Sequence, residues 1–208
     1  NNEIAVYYSQ NWNLISLPIQ TNEYPCFNMD ESTLYSFGNE GYVSTPIDVM
    51  EIGTGYWLRF EEAENCTFSG IFLNEATITL SNDWNLIGSV SYQVDVNTII
   101  DEYNLIIPGT VYGFDDGYFS AETIEPGYGY WLRSTGDGEI TLTSDATGRV
   151  EPPDYSLIGK ANTLSINGSE LYFGVELSDR ERLSYSLPPK PPAGAFDVRF
   201  KDGWRAVK

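Results

Sequence analysis

Histidine is absent from these 208 residues, and cysteine occurs only as Cys26 and Cys66. Without histidine, the usual Ser-His-Asp and Cys-His arrangements lack their base. Without a Cys-x-x-Cys pair as well, a zinc site lacks its ligands. Lysine is missing from residues 1–148, which removes the partner needed for a Lys–Asn isopeptide crosslink there. No apolar run approaches the roughly 20 residues that span a bilayer. The opening Asn1-Asn2-Glu3 has neither the basic nor the apolar region of a signal peptide. A Walker loop, a dinucleotide fingerprint and an EF-hand loop are likewise missing. Carboxylates are plentiful, but nothing singles out two of the 30 as a glycosidase pair. The expectation is a chain that is not an enzyme and has no cofactor, with calcium as the one ion to consider.

Positive charge is scarce and unevenly placed. Residues 1–148 hold 22 acidic residues and two basic ones, Arg59 and Arg133, a balance of −20. Residues 149–208 hold 8 acidic and 9 basic residues, a balance of +1. That step marks a junction near Arg149, followed by the stiff Glu151-Pro152-Pro153. An acidic surface repels nucleic acid phosphates and anionic membranes, so neither is expected as a partner.

What is present favours strands. Aromatics make up 14%, led by 15 Tyr, a residue suited to pleated, half-buried surfaces. The 19 Gly and 11 Pro supply turns between short strands.

The chain also repeats itself. Trp12-Asn13-Leu14-Ile15-Ser16 returns as Trp84-Asn85-Leu86-Ile87-Gly88. Leu34-Tyr35-Ser36-Phe37 returns as Val111-Tyr112-Gly113-Phe114, each followed by a polar turn and a tyrosine, Tyr42 or Tyr118. Gly53-Thr54-Gly55-Tyr56-Trp57-Leu58-Arg59 returns as Gly127-Tyr128-Gly129-Tyr130-Trp131-Leu132-Arg133. Each copy is expected to close on an alternating strand, Thr77–Leu80 or Ile140–Thr143. Alternation sends Tyr56, Leu58 and Phe60 to one face, and Trp57 and Arg59 to the other. Val96, Ile99, Ile100 and Tyr103 have helical spacing and predict a short amphipathic helix opened by Asp95. In the first copy, Pro25 makes the corresponding region irregular. The two arginines read either as anion contacts or as structural groups. In the structural reading, each stacks on the tryptophan two residues earlier and pairs with nearby carboxylates.

After Arg149 the pattern changes. Ala161–Ile166 and Glu170–Glu176 read as strands joined by an Asn167-Gly168 turn. Leu187-Pro188-Pro189-Lys190-Pro191-Pro192 reads as a rigid, extended crossover. Ala195–Phe200 alternates as a strand ahead of an Asp202-Gly203 turn. The end at Lys208, directly after strand-like sequence, suggests a piece of a longer chain with an unpaired sheet edge. The expected fold is therefore all-β: two tandem copies of a barrel- or sandwich-like β repeat over 1–82 and 83–148. A third β unit with a Pro-rich crossover, incomplete at its end, follows over 149–208.

The Trp-Asn-Leu-Ile-Ser and Gly-Tyr-Trp-Leu blocks resemble repeats of large secreted and surface proteins from bacteria with a type IX secretion system. Leu171–Val175, the Pro-rich segment and Phe196–Phe200 are similar to the stretch that precedes the sorting domain of such cargo. The resemblance implies export, a multidomain setting and an extracellular or cell-surface location, and transfers no catalytic residue. It implies as partners other domains of the parent protein or cell-surface proteins.

Two functions remain open. A structural spacer or assembly module predicts buried aromatics. A carbohydrate-binding or adhesive module predicts exposed ones stacking on a polysaccharide, with Tyr42, Tyr118, Phe119, Tyr128, Trp57 and Trp131 as candidates. Asp115 and Asp116 are the candidate calcium position, because calcium takes hard oxygen ligands. Cys26 and Cys66 could form a disulfide suited to an exported protein, and their spacing leaves the pairing open. Asn65 and Asn167 begin N-x-Ser/Thr sequons.

Overall fold

The asparagine of each Trp-Asn-Leu-Ile block ties down the turn that precedes it. Asn13 Nδ2 donates to the carbonyls of Ser9 (2.8 Å) and Asn11 (3.0 Å), while its Oδ1 accepts from Ser9 N–H. Asn85 repeats this with Ser81 (2.8 Å) and Asp83 (3.0 Å) and accepts from Ser81 N–H. Asn11 and Asp83 sit at φ of 76° and 78°, a conformation Asn and Asp tolerate better than most residues. The chain thus turns out of one strand and into the next at both places.

The structure is a computed structural model and describes residues 2–27, 34–38, 40–144, 150, 152, 154–156 and 158–208. It is all-β in class, as the composition predicts, with multiple antiparallel sheets. The junction at Arg149 and Glu151-Pro153 lies largely outside the described residues.

The first stretch forms β1 (Asn2–Tyr8), β2 (Asn11–Ile15), β3 (Tyr35–Gly38), β4 (Gly41–Ser44), β5 (Tyr56–Phe60) and β6 (Glu64–Gly70). β1 pairs with β6, and the other four make a sheet in the order β2-β5-β3-β4. The second stretch forms β7 (Glu75–Leu80), β8 (Asp83–Ile87), β9 (Val94–Asp95), β10 (Tyr112–Phe114) and β11 (Tyr118–Ser120). It continues with β12 (Thr123–Ile124), β13 (Tyr130–Ser134) and β14 (Gly138–Thr143). Here β7 pairs with β14, and the order β8-β13-β10-β11 matches the first sheet. β9 and β12 form an extra two-residue ladder. β7 contains Thr77–Leu80, expected to close the first copy, and instead holds the place that β1 holds in the first stretch. A strand's own alternation does not say which neighbour it will pair with.

Each stretch has its own hydrophobic core. Val6, Tyr8, Ile15, Tyr56, Leu58, Phe60, Cys66 and Phe68 fill the first. Ile78, Leu80, Ile87, Tyr130, Leu132, Ile140 and Leu142 fill the second. The side-chain directions expected of β5 therefore hold. The Cys26–Cys66 disulfide is formed, with Cα atoms 5.7 Å apart, and ties the irregular loop after β2 to β6.

The amphipathic helix does not form. Only Val96–Thr98 makes a single 3-10 turn, capped by Asp95, whose side chain accepts from Asn97 N–H. Beyond it Ile99 is buried and Ile100 bridges Thr141, so the apolar spacing serves an irregular segment packed on β14. The carboxylate of Asp101 accepts from the N–H groups of Leu105 and Ile106 and turns the chain there.

In the third unit, β15 (Asn162–Ile166) and β16 (Ser169–Phe173) form a hairpin. Asn167 and Gly168, at φ of 48° and 80°, make the two-residue turn that such sequences favour. A one-turn helix, α1 (Asp179–Leu183), follows, with a capping box between Ser178 and Glu181. β17 (Ala206–Val207) then adds to β16 in parallel. The strand expected over Ala195–Phe200 is not there; only Phe200 makes an isolated bridge, to Trp204. Its alternation places Asp197 and Arg199 side by side instead, where they pair through two hydrogen bonds of 2.7 and 2.5 Å.

Candidate functional site

The two units meet through the motifs that recur. Gly55 N–H donates to Leu86 O at 3.1 Å, and Gly129 N–H donates to Leu14 O at 3.0 Å. Gly88 N–H reaches Gly53 O at 2.8 Å, and Ser16 N–H reaches Gly127 O at 2.9 Å. A Cβ on Gly55 would stand 2.5 Å from Ile87 O, and one on Gly129 2.8 Å from Ile15 O. The glycines are therefore needed for backbone to approach backbone. Such reciprocal contacts, i to j and j to i, are what a two-fold-like interface requires.

Between the sheets lies an aromatic belt. Trp57 and Trp131 are both 0% exposed. Trp57 packs edge-on against Phe114 (4.8 Å between centroids) and Tyr118 (6.3 Å) of the other unit. Trp131 packs the same way against Phe37 (4.7 Å) and Tyr42 (6.4 Å). Both indole N–H groups are buried among rings without a hydrogen-bond acceptor. The preceding tyrosines, Tyr56 and Tyr130, accept from the N–H groups of Glu51 and Glu125, each at 2.9 Å, and pin the turns before β5 and β13.

The Pro-rich segment lies across this belt. Tyr42 donates its hydroxyl to Lys190 O and Tyr118 donates to Pro189 O, each at 2.8 Å. Trp12 Nε1 donates to Ala193 O (3.2 Å) and Arg199 Nη1 to Pro188 O (2.6 Å), while Leu187 is buried against the belt. Carbonyls of an extended, hydrogen-bond-free segment suit such recognition. Burial pushes the Tyr42 phenol up to about 12, and raises Tyr118 well above its ordinary 10.0.

The sequence candidates therefore separate. Trp57 and Trp131 are interior, and Tyr42 and Tyr118 are engaged by the strap. Phe119 and Tyr128 come together at an open groove of about 350 Å3 between the units, which Asp115 and Glu125 also line. Tyr7 stands on the same groove, its carbonyl accepting the Tyr128 hydroxyl. Asp116 occupies the β10–β11 turn at φ 47°. Among the described residues no three Asp, Glu, Cys or His side chains gather as a metal site.

Arg133 pairs with Asp83 at 2.6 Å and lies 5.7 Å from the centroid of Trp84, not over Trp131. Its stacking partner is across the ladder, since Arg133 faces Trp84 directly, as Arg59 faces Trp12. Directly opposed residues are closer than residues two apart on one strand. Sequence reasoning did not single out Tyr7 or Arg199. The signals were there, in the exposed phase of β1's alternation and in the opposite charges at 197 and 199.

Comparison with protein-family models, curated proteins and solved structures returned no match to this chain. Among the described residues, no helix is long and apolar enough to cross a membrane.

Proposed function

We propose that this chain is a non-catalytic, extracellular structural module, a rigid spacer or assembly piece of a larger secreted bacterial protein of the type IX kind. The observation that carries this reading is the aromatic belt. The largest side chains of both repeats are spent on joining the units and on holding the Pro-rich strap. A surface built to hold a polymer would leave them exposed. Of the six aromatics a carbohydrate-binding module would use, Trp57 and Trp131 are interior and Tyr42 and Tyr118 hold the strap. The Cys26–Cys66 disulfide suits an oxidising location outside the cytoplasm. The acidic first 148 residues suit solubility without anionic partners.

A rigid spacer should unfold as one body. Scanning calorimetry of the whole chain should give a single transition, with calorimetric and van't Hoff enthalpies in agreement. Two resolved transitions would mean that the units are beads on a string, and the reading would fall.

A further inference from the structure

The hairpins β3–β4 and β10–β11 share three cross-strand pairs, and at one of the three their residues differ in kind. Tyr35, Phe37, Tyr42 and Ser44 have the equivalents Tyr112, Phe114, Tyr118 and Ser120 in the same register. Where the first unit pairs Ser36 with Val43, the second pairs Gly113 with Phe119. A Cβ at position 113 would collide with the Phe119 ring, so the ring lies flat over the glycine. A ring lying flat keeps its outer face open, and Phe119 is 46% exposed. The ring covers backbone that the glycine leaves bare, a packing role with no counterpart at Val43, which stands opposite a serine.

Phe119 lines the groove between the units, and on its other side a second concavity lined by Ser120, Glu170 and Arg205. Tyr7, 54% exposed, stands on the groove between the units, and the carboxylates of Asp115 and Glu125 line it. No lysine or arginine lines it. Glu125 is positioned by Thr123, whose hydroxyl donates to it at 2.9 Å. A flat apolar platform beside acceptors suits a ring with C–H groups on one face and hydroxyl donors at its rim. A single ring face also attracts an ammonium group, so a lysine-rich chain is the competing ligand that the test includes. Here the Tyr128 hydroxyl is committed to Tyr7 O. We propose that the Phe119 platform is a carbohydrate-stacking subsite that takes a pyranose unit of a neutral polysaccharide, its hydroxyls donating to Asp115 and Glu125. The groove's size admits a ligand of a few rings. This goes beyond the spacer reading and stands whether or not that reading does.

Affinity electrophoresis of the whole chain through gels containing soluble glucan, xylan, mannan or galactan tests it. Pull-down on insoluble cellulose and chitin extends the panel. At least one neutral polymer should retain the protein. Phe119→Ala should weaken that binding at least about tenfold, the loss expected of an aromatic contact. Phe119→Tyr, which keeps the platform, and Val43→Ala, at the matching place in the first unit, should bind like the parent. A thermal melt of each variant separates lost binding from lost fold. Absence of retention by every polymer, or equal retention of Phe119→Ala, overturns the proposal. So does binding of a lysine-rich peptide, lost in Phe119→Ala, with no polysaccharide retained.

Discussion

Tyr42 and Tyr118 stand at matching places in two different units, yet their hydroxyls donate to adjacent carbonyls, Lys190 and Pro189, of one strap. The two-fold-like arrangement of the units ends there, because a single strand of chain cannot present the same group to both. Arg199 holds the strap beside them, 6.0 Å from the Tyr118 ring centroid, reaching Pro188 O at 2.6 Å while pairing with Asp197.

Replacing either phenol by phenylalanine leaves a carbonyl without its donor. Tyr118→Phe, at the part-buried bond, should cost about 1–2 kcal/mol in urea denaturation, and Tyr42→Phe, at the exposed one, about 0.5–1 kcal/mol. If the strap is held as a unit, the double variant will differ from the sum of the two singles. Values within error of the parent would mean that water replaces both bonds freely.

The glycines between the units should be the least replaceable small residues. Gly55→Ala and Gly129→Ala push a methyl group onto a backbone carbonyl, and a loss of about 2–3 kcal/mol is expected. Gly136→Ala is the control, with nothing within 4 Å of the added Cβ. Its melting temperature should barely move.

Reduction of the disulfide should lower stability substantially. Cys26 and Cys66 are 40 residues apart, and closing a loop of that length removes unfolded-state entropy worth about 4 kcal/mol. The melting temperature with and without dithiothreitol, and that of a Cys26→Ser/Cys66→Ser variant, measures it. Identical curves would show that the bridge does not form in solution.

Alkali should unfold the protein by way of its tyrosines. Burial pushes Tyr42, Tyr112 and Tyr130 up to about 12, from an ordinary 10.0. In the unfolded chain these phenols ionise near the ordinary value, while in the folded protein they stay neutral. The stability that depends on their neutrality is therefore complete below pH 10 and is lost as pH rises towards 12. Absorbance at about 295 nm should show a late class of tyrosines titrating together with loss of fold. Early titration of every tyrosine in a folded protein would contradict their burial.

The class of the fold and the motifs that join its parts are legible in the sequence, because both are local. Alternation assigns Tyr56 and Leu58 to one face and Trp57 to the other, and the Asn167-Gly168 pair specifies its turn. Alternation does not say whether the second face meets water. That distinction separates an exposed Trp131, which would stack on a sugar, from the buried one observed. Pairing partners are equally invisible, and so β7 goes with β14, and Arg133 with Trp84. The helical spacing around Ile99 and the strand-like alternation at Phe196–Phe200 fail for the same reason. Both are short, and contacts from distant chain decide their backbone.

By itself, then, the sequence determined an acidic, β-rich chain with recurring glycine and tryptophan blocks. The tertiary structure decided what those blocks do. The glycines let two backbones touch, the tryptophans fill the space between units, and the tyrosines bind a strap nearly 150 residues downstream of the first of them. Burial depends on the neighbour across the interface, and no local pattern names that neighbour.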